Sequence, residues 1–210
     1  FFNLPANIRR LDLGGQGLTG AMSLMHHKFA IIDRGEAKQK LIFGSFNWTQ
    51  LQEQYDRSFF LVTANSELIK SFGREFERLA AAENGAKKLR DREYRPEDLQ
   101  LQAGAYNYEV LYSPGRAPGN IGLRISRLIQ EAKQEIKIMI WSFTDNSLAE
   151  EIIKQARAGL KITIIADSFN FYQKNSVLSR LLQVKEEENL SNLEILSDGA
   201  PVDPTALDPF

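Results

Sequence analysis

Short apolar runs that alternate with amphipathic stretches of helical period leave a chain few ways to fold, because strand–helix–strand units close into a parallel sheet by crossover connections. From Asn107 onward this pattern is regular: "YEVLYS", "IKIMIWSF", "LKITIIAD" and "NLEIL" are separated by three amphipathic segments. In the second of these segments Leu148, Ile152, Ile153 and Ala156 share one helical face, Asp145 or Asn146 stands where a helix is capped, and Gly159 stands where one ends. The runs are β-branched and apolar at successive positions, which predicts strands covered on both faces. The second half, residues 106–210, therefore reads as βαβαβαβ.

The first half, residues 1–83, has a different grammar. "HKFAIID", "KLIFGS" and "RSFFLV" are short strands separated by turn-like or polar segments, and one helix is expected from about Ser66 to Ala82. This predicts an antiparallel run that ends in a helix. Between the halves, residues 84–105 are polar, charged and punctuated by Gly and Pro, as a solvated connection would be. The expected fold class is α/β, with a mixed sheet flanked by helices.

Composition removes several function classes. The 26 basic and 27 acidic side chains nearly cancel, so any affinity for a polyanion has to be local. Without cysteine there is no disulfide framework, thiolate nucleophile or cysteine zinc site. No apolar run reaches the roughly 18 residues of a membrane span, and the protein is expected to be soluble, cytoplasmic or exported. No internal repeat is evident, and "SPGRAPGN", with Gly115 and Gly119, matches a phosphate loop only weakly, there being no G-x-G-x-x-G.

The chemistry-bearing stretch is "MHHKFAIID", which holds both of the chain's histidines. In an extended segment His26, Lys28, Ala30 and Ile32 share one face, while His27, Phe29 and Ile31 take the other. A lysine beside a histidine on a buried face is costly unless an anion binds there, and phosphate suits the pair. Ser45 and Asn47 in "GSFNWT" are also two apart, and Gly44 lets backbone approach closely. One nucleophile or base, one fixed cation and two neutral donors suit a phosphoryl oxygen that gains charge in a transition state. His-x-Lys alone is common in ordinary strands, and the joint pattern is what points to catalysis. Adjacent His26 and His27 point apart, so the pair is not a metal site, and neither metal nor cofactor is expected.

His26-x-Lys28-x4-Asp33 followed by Gly44-Ser45-x-Asn47 resembles the HxKxxxxD motif of the phospholipase D superfamily, and "GSFNWT" resembles its nuclease and cardiolipin-hydrolase branch. The second half also resembles the amino-terminal part of that fold. The resemblance implies a metal-independent phosphodiesterase that works through a phosphohistidine. His26 would be the nucleophile or its acid partner, with Lys28 and Asn47 gripping nonbridging oxygens, Ser45 supporting them and Asp33 orienting or structural. Gly44, Trp48, Trp141 and Asp145 are expected to border the substrate. Phe46, Phe143, Phe169, Phe171 and Tyr172 would line a lipid path, stack bases or fill the core.

Three features depart from the family pattern. The motif half precedes the βαβ half, as though the chain held the back of one domain and the front of the next, or were circularly permuted. One motif copy cannot supply the second catalytic histidine, so a homodimer or a continuation of the chain is expected to bring it. The segment "RGEAKQK" enlarges a hairpin, and Ser58 stands where many nuclease-branch members carry the glutamate that orients the histidine, with Glu53 or Asp56 as substitutes. The leading functional expectation is a nuclease acting on nucleic acid. The alternatives are a phospholipase D or cardiolipin hydrolase acting on phospholipid, and a noncatalytic binding module of the same fold.

Overall fold

The computed structural model describes residues 25–81, 100–103, 106–113, 120–171, 173 and 175–199. The chain divides into two compact units, Phe1–Ile121 and Gly122–Phe210.

In the first unit, the apolar runs that follow the histidines pair as an antiparallel sheet. Strand β1 (Phe29–Ile32) pairs with β2 (Lys40–Gly44), and β2 pairs with β3 (Phe60–Thr63). The polar segment between β1 and β2 is the expected hairpin, which Asp33 enters at φ 49° and Gly35 continues at φ 91°. Period-two alternation sends Phe29, Ile31, Leu41 and Phe43 to one face, where helix α2 (Ser66–Ala80) lays Leu68, Ile69 and Phe72 against them. Asn65 caps α2, its side chain accepting from the Leu68 amide at 2.9 Å. Leu41 and Ile69 are fully buried, each worth roughly 1.5–3 kcal/mol of transfer free energy.

Between β2 and β3 lies a short helix, α1 (Gln50–Tyr55), absent from the sequence reading. Thr49 caps it by accepting from the Gln52 amide at 3.3 Å, and none of its residues is buried. Strand β3 is an edge strand among the described residues, and Phe59, Phe60, Leu61 and Val62 are all exposed.

The fold class agrees with expectation, but the assignment of "YEVLYS" needs correction. Tyr106–Glu109 is strand β5, paired antiparallel with β4 (Gln100–Ala103), which lies inside the span read as a connection. Both strands fall in the first unit, where Leu101 and Val110 join the core beneath α2 and Tyr112 is buried beside Phe72. A four-residue run shows that a segment is extended but not which strand it pairs with. Residues 84–99 and 104–105, the rest of the span read as a connection, lie outside the described residues, as do Gly115, Gly119 and Tyr172.

The second unit opens with α3 (Ile121–Glu131), followed by a parallel sheet in the order β6 (Glu135–Ile140), β7 (Lys161–Ala166), β8 (Leu193–Ser197). The crossovers carry α4 (Asn146–Arg157), a single turn α5 (Ser168–Phe171), and α6 (Leu178–Glu187). Ile136, Ile138, Ile162, Ile164, Leu193 and Ile195 form one packed face with Ile152, Ile153, Leu178 and Leu181 from the helices. The opposite face bears Lys137, Met139, Thr163, Glu194 and Leu196, and Met139 is 73% exposed. The expectation of burial on both faces is thus corrected to one. As expected, Asp145 starts α4, and Gly159, at φ 89°, ends it, its amide bonding the Ala156 carbonyl at 2.9 Å.

At Gly44 the β2–β3 pair leaves no room for a side chain, a Cβ there falling 2.2 Å from the Phe59 carbonyl oxygen and 2.7 Å from the Phe60 Cα. Both obstacles are backbone, so a side chain can enter only by parting the strands. Gly44→Ala is expected to destabilise the first unit by about 1–3 kcal/mol, read as a lowered thermal midpoint in circular dichroism.

Candidate functional site

The histidine segment precedes β1 rather than belonging to it: residues 25–28 are irregular, and strand pairing begins at Phe29. The alternation nevertheless continues back through them. His27 turns to the α2 side, where its ring meets the edges of Phe29 and Tyr112 with centroids 6.0 Å apart in each case. His26 is exposed, and Lys28 is half-buried.

Two motif pieces meet at one end of the sheet. The Gly44 amide donates to the Lys28 carbonyl at 3.2 Å, so "HxK" and "GS" lie side by side on neighbouring chains of the ladder. Lys28 Nζ donates to the His26 carbonyl at 2.8 Å. Burial pushes the Lys28 ammonium below the usual lysine range, since its charge is partly withdrawn from water.

β2 ends at Gly44, so the strand alternation expected to align Ser45 with Asn47 does not extend to them. Each is held by a separate contact instead. The Ser45 hydroxyl accepts from the Phe59 amide at 3.2 Å, which leaves its own O–H to donate. The Asn47 amide donates to the Gln52 side chain of α1, which fixes Asn47 against that helix. Both residues are exposed.

Asp33 is not brought to this end. It lies at the far end of β1, about 16 Å away by strand rise, and its carbonyl accepts from the Glu36 amide at 2.9 Å, a turn contact. Among the described residues no side chain hydrogen-bonds the His26 imidazole, and Glu53, Asp56 and Ser58 are all exposed. The carboxylate that lies behind the motif is one the sequence reading passed over. Glu75, fully buried on α2, has Oε1 3.6 Å from His27 Nε2 and holds Arg78 through two bonds of 2.7 and 2.9 Å. Its signal was legible: position 75 continues the apolar stripe of Leu68 and Phe72, and an acid there needs a partner.

Of the remaining expected residues, Trp48 belongs to the first unit and Trp141 and Asp145 to the second. Asp145 caps α4, accepting from the Ser147 and Leu148 amides at 2.8 and 3.1 Å, so its Oδ1 is engaged in the fold. Trp141 is exposed, as are Trp48 and Phe169, whereas Phe143 and Phe171 are core residues. An open polar cleft follows β6, lined by Thr144, Asn146, Asn175 and Arg180, with the Arg180 guanidinium paired to Glu150. No group of three or more His, Asp or Glu is placed to hold a metal ion among the described residues.

Of the comparisons with known proteins, the family match falls on the first unit. The family described as "Cardiolipin synthase, PLD-like domain" matches residues 7–80. The mitochondrial cardiolipin hydrolase of Homo sapiens is 47% identical over 55 residues, 26% of this chain and 20% of that protein. The Danio rerio protein of the same name is 40% identical over 62 residues, 30% of this chain and 26% of its own length. The chain thus spans about a fifth to a quarter of these curated relatives. Among solved structures, the phosphatidylserine synthase of Haemophilus influenzae Rd KW20 superposes with a TM-score of 0.50 at 11% identity, over 85% of this chain and 52% of that one, a likeness of fold.

Two outcomes follow from this geometry. An anion bound at Lys28 favours the ammonium, so inorganic phosphate is expected to raise the Lys28 titration midpoint toward the ordinary lysine range, followed by NMR of labelled lysine. Asp145→Ala is expected to cost about 1 kcal/mol in thermal unfolding while Asp145→Asn costs little, because either cap side chain can accept from the same amides.

Proposed function

We propose that the chain is a member of the phospholipase D superfamily, as the match over residues 7–80 supports, and that it contributes one motif of a histidine-based phosphodiesterase site whose substrate is a phospholipid. The observation that carries the lipid reading is the open face of the first sheet. Lys28 and Lys40 stand at its two ends, and between them run Ala30, Ile32, Ile42, Phe60 and Val62 by cross-strand register. Ile32, Phe60 and Val62 are exposed. A face that pairs cations with an apolar strip suits a ligand with a phosphate and acyl chains. Nucleic acid, the first expectation from the sequence, needs a basic track, and the near balance of 26 basic and 27 acidic side chains gives that reading no support from composition. The names of the relatives, cardiolipin hydrolase and cardiolipin synthase, support the lipid reading and give the nuclease reading no support.

In the proposed reaction a ring nitrogen of His26 attacks phosphorus, and the bond from phosphorus to the leaving alkoxy oxygen breaks. A histidine of a second motif copy gives that oxygen its proton. The same histidine then takes a proton from water, whose oxygen attacks phosphorus, and the N–P bond breaks to regenerate His26. Lys28 and the Ser45 hydroxyl would hold the nonbridging oxygens as negative charge grows on them, with Asn47 beside them. The second motif would come from a second copy of the chain or from its continuation.

The test is hydrolysis of cardiolipin vesicles in excess EDTA, with single- and double-stranded DNA and RNA alongside. Vesicle hydrolysis that survives EDTA and falls by about 10³-fold or more in His26→Ala is the expected result. Cleavage of nucleic acid alone would overturn the lipid substrate, and unaltered turnover in His26→Ala would overturn the histidine chemistry.

A further inference from the structure

The residue between the two chemistry-bearing side chains is held more firmly than either of them. His27 faces Glu75, a carboxylate with no exposure, at 3.6 Å from its Oε1. Glu75 is itself fixed by the two bonds from Arg78 on the next turn of α2. The edges of Phe29 and Tyr112 close on the His27 ring, and the Tyr112 hydroxyl is 3.1 Å from the buried Ser71 Oγ. Three side chains, Phe29 of β1, Glu75 of α2 and Tyr112 after β5, therefore converge on one imidazole, and Arg78 and Ser71 hold two of them in turn.

We propose that His27, anchored by the buried Glu75–Arg78 pair, is a positioning residue that sets the direction of His26 and Lys28. The reason is local. The β1 ladder begins only at Phe29, so strand pairing does not fix residues 26–28. Their hold on the sheet is the Gly44 amide bond to the Lys28 carbonyl. An inward anchor at His27 extends the alternation of β1 backward by two residues, which obliges both neighbours to face the open side. His27 acts through the backbone and touches neither phosphate nor leaving group. The segment gains the rigidity that an orienting acid at position 58 would otherwise lend to His26.

The inference rests on the proposed phosphodiesterase reading for its kinetic consequence, and its structural consequence is read without turnover. The reporter is the Gly44 amide, whose acceptor is Lys28, compared with the Ile69 amide, which bonds the Asn65 carbonyl within α2. In His27→Phe, which keeps a ring but not the contact with Glu75, Gly44 exchange is expected to quicken about tenfold or more with Ile69 unchanged. His27→Gln, which keeps an N–H within reach of the carboxylate, is expected to stay within about threefold of native. On vesicles, His27→Phe is expected to lower kcat by about tenfold per folded molecule with KM within twofold. Gly44 exchange unchanged in His27→Phe, or quickened equally with Ile69, would overturn the anchor. Native kcat per folded molecule would overturn its role in positioning. Retained turnover in His26→Ala would instead remove the phosphodiesterase reading and leave the exchange result standing.

Discussion

Each of the two larger sheets is packed under helices on one face, and this one-sided burial organises both units. In the first, α2 seals Leu41, Ile31 and Phe43; in the second, α4 and α6 seal Ile162, Ile164 and Leu193. Because side chains alternate along a strand, sealing one face fixes which residues remain on the other. Lys28 stands on the open face for that reason. On the sealed face an ammonium would need a dedicated partner, as Glu75 does. On the open face partial burial lowers its proton affinity without demanding one.

The polar interior of the first unit is concentrated on α2. Ser71 and Glu75 are one turn apart, and both are buried on the face that otherwise carries Leu68 and Phe72. The hydroxyl meets Tyr112 and the carboxylate meets Arg78 and His27. A wholly apolar stripe would accept several rotations of the helix over the sheet. Two buried polar groups with separate partners accept far fewer, since any other setting leaves an acceptor or a charge unmatched.

Much of this was legible in the sequence where the signal is local. Alternation placed His27 on the side of Phe29, and its ring lies against Phe29 and Tyr112 there. Asp145 and Gly159 mark the ends of α4 because capping depends on a few neighbouring residues. The misses are those of pairing and length. "YEVLYS" shows an extended tendency but neither its partner nor its bounds: the strand is Tyr106–Glu109, paired with β4 in an antiparallel hairpin, and stops before Val110. Helix α1 has six residues and buries none, so no hydrophobic period announces it. Ser45 and Asn47 were aligned by a rule for strands, and the strand stops one residue before them. Glu75 was overlooked because an acid on a helix is ordinarily solvated, and only its place in the apolar stripe sets it apart.

Strand β3 bears on how the protein behaves in quantity. Four consecutive large apolar side chains, Phe59 to Val62, are presented along a strand that is an edge among the described residues, with no proline and no lysine to blunt it. Such an edge is adhesive toward other extended chain, and the attraction grows with concentration and with salts that salt out apolar surface. The colloidal state of the purified polypeptide is therefore a function of dilution and ionic medium, and newly made chains present the same ribbon to whatever holdase reaches them first.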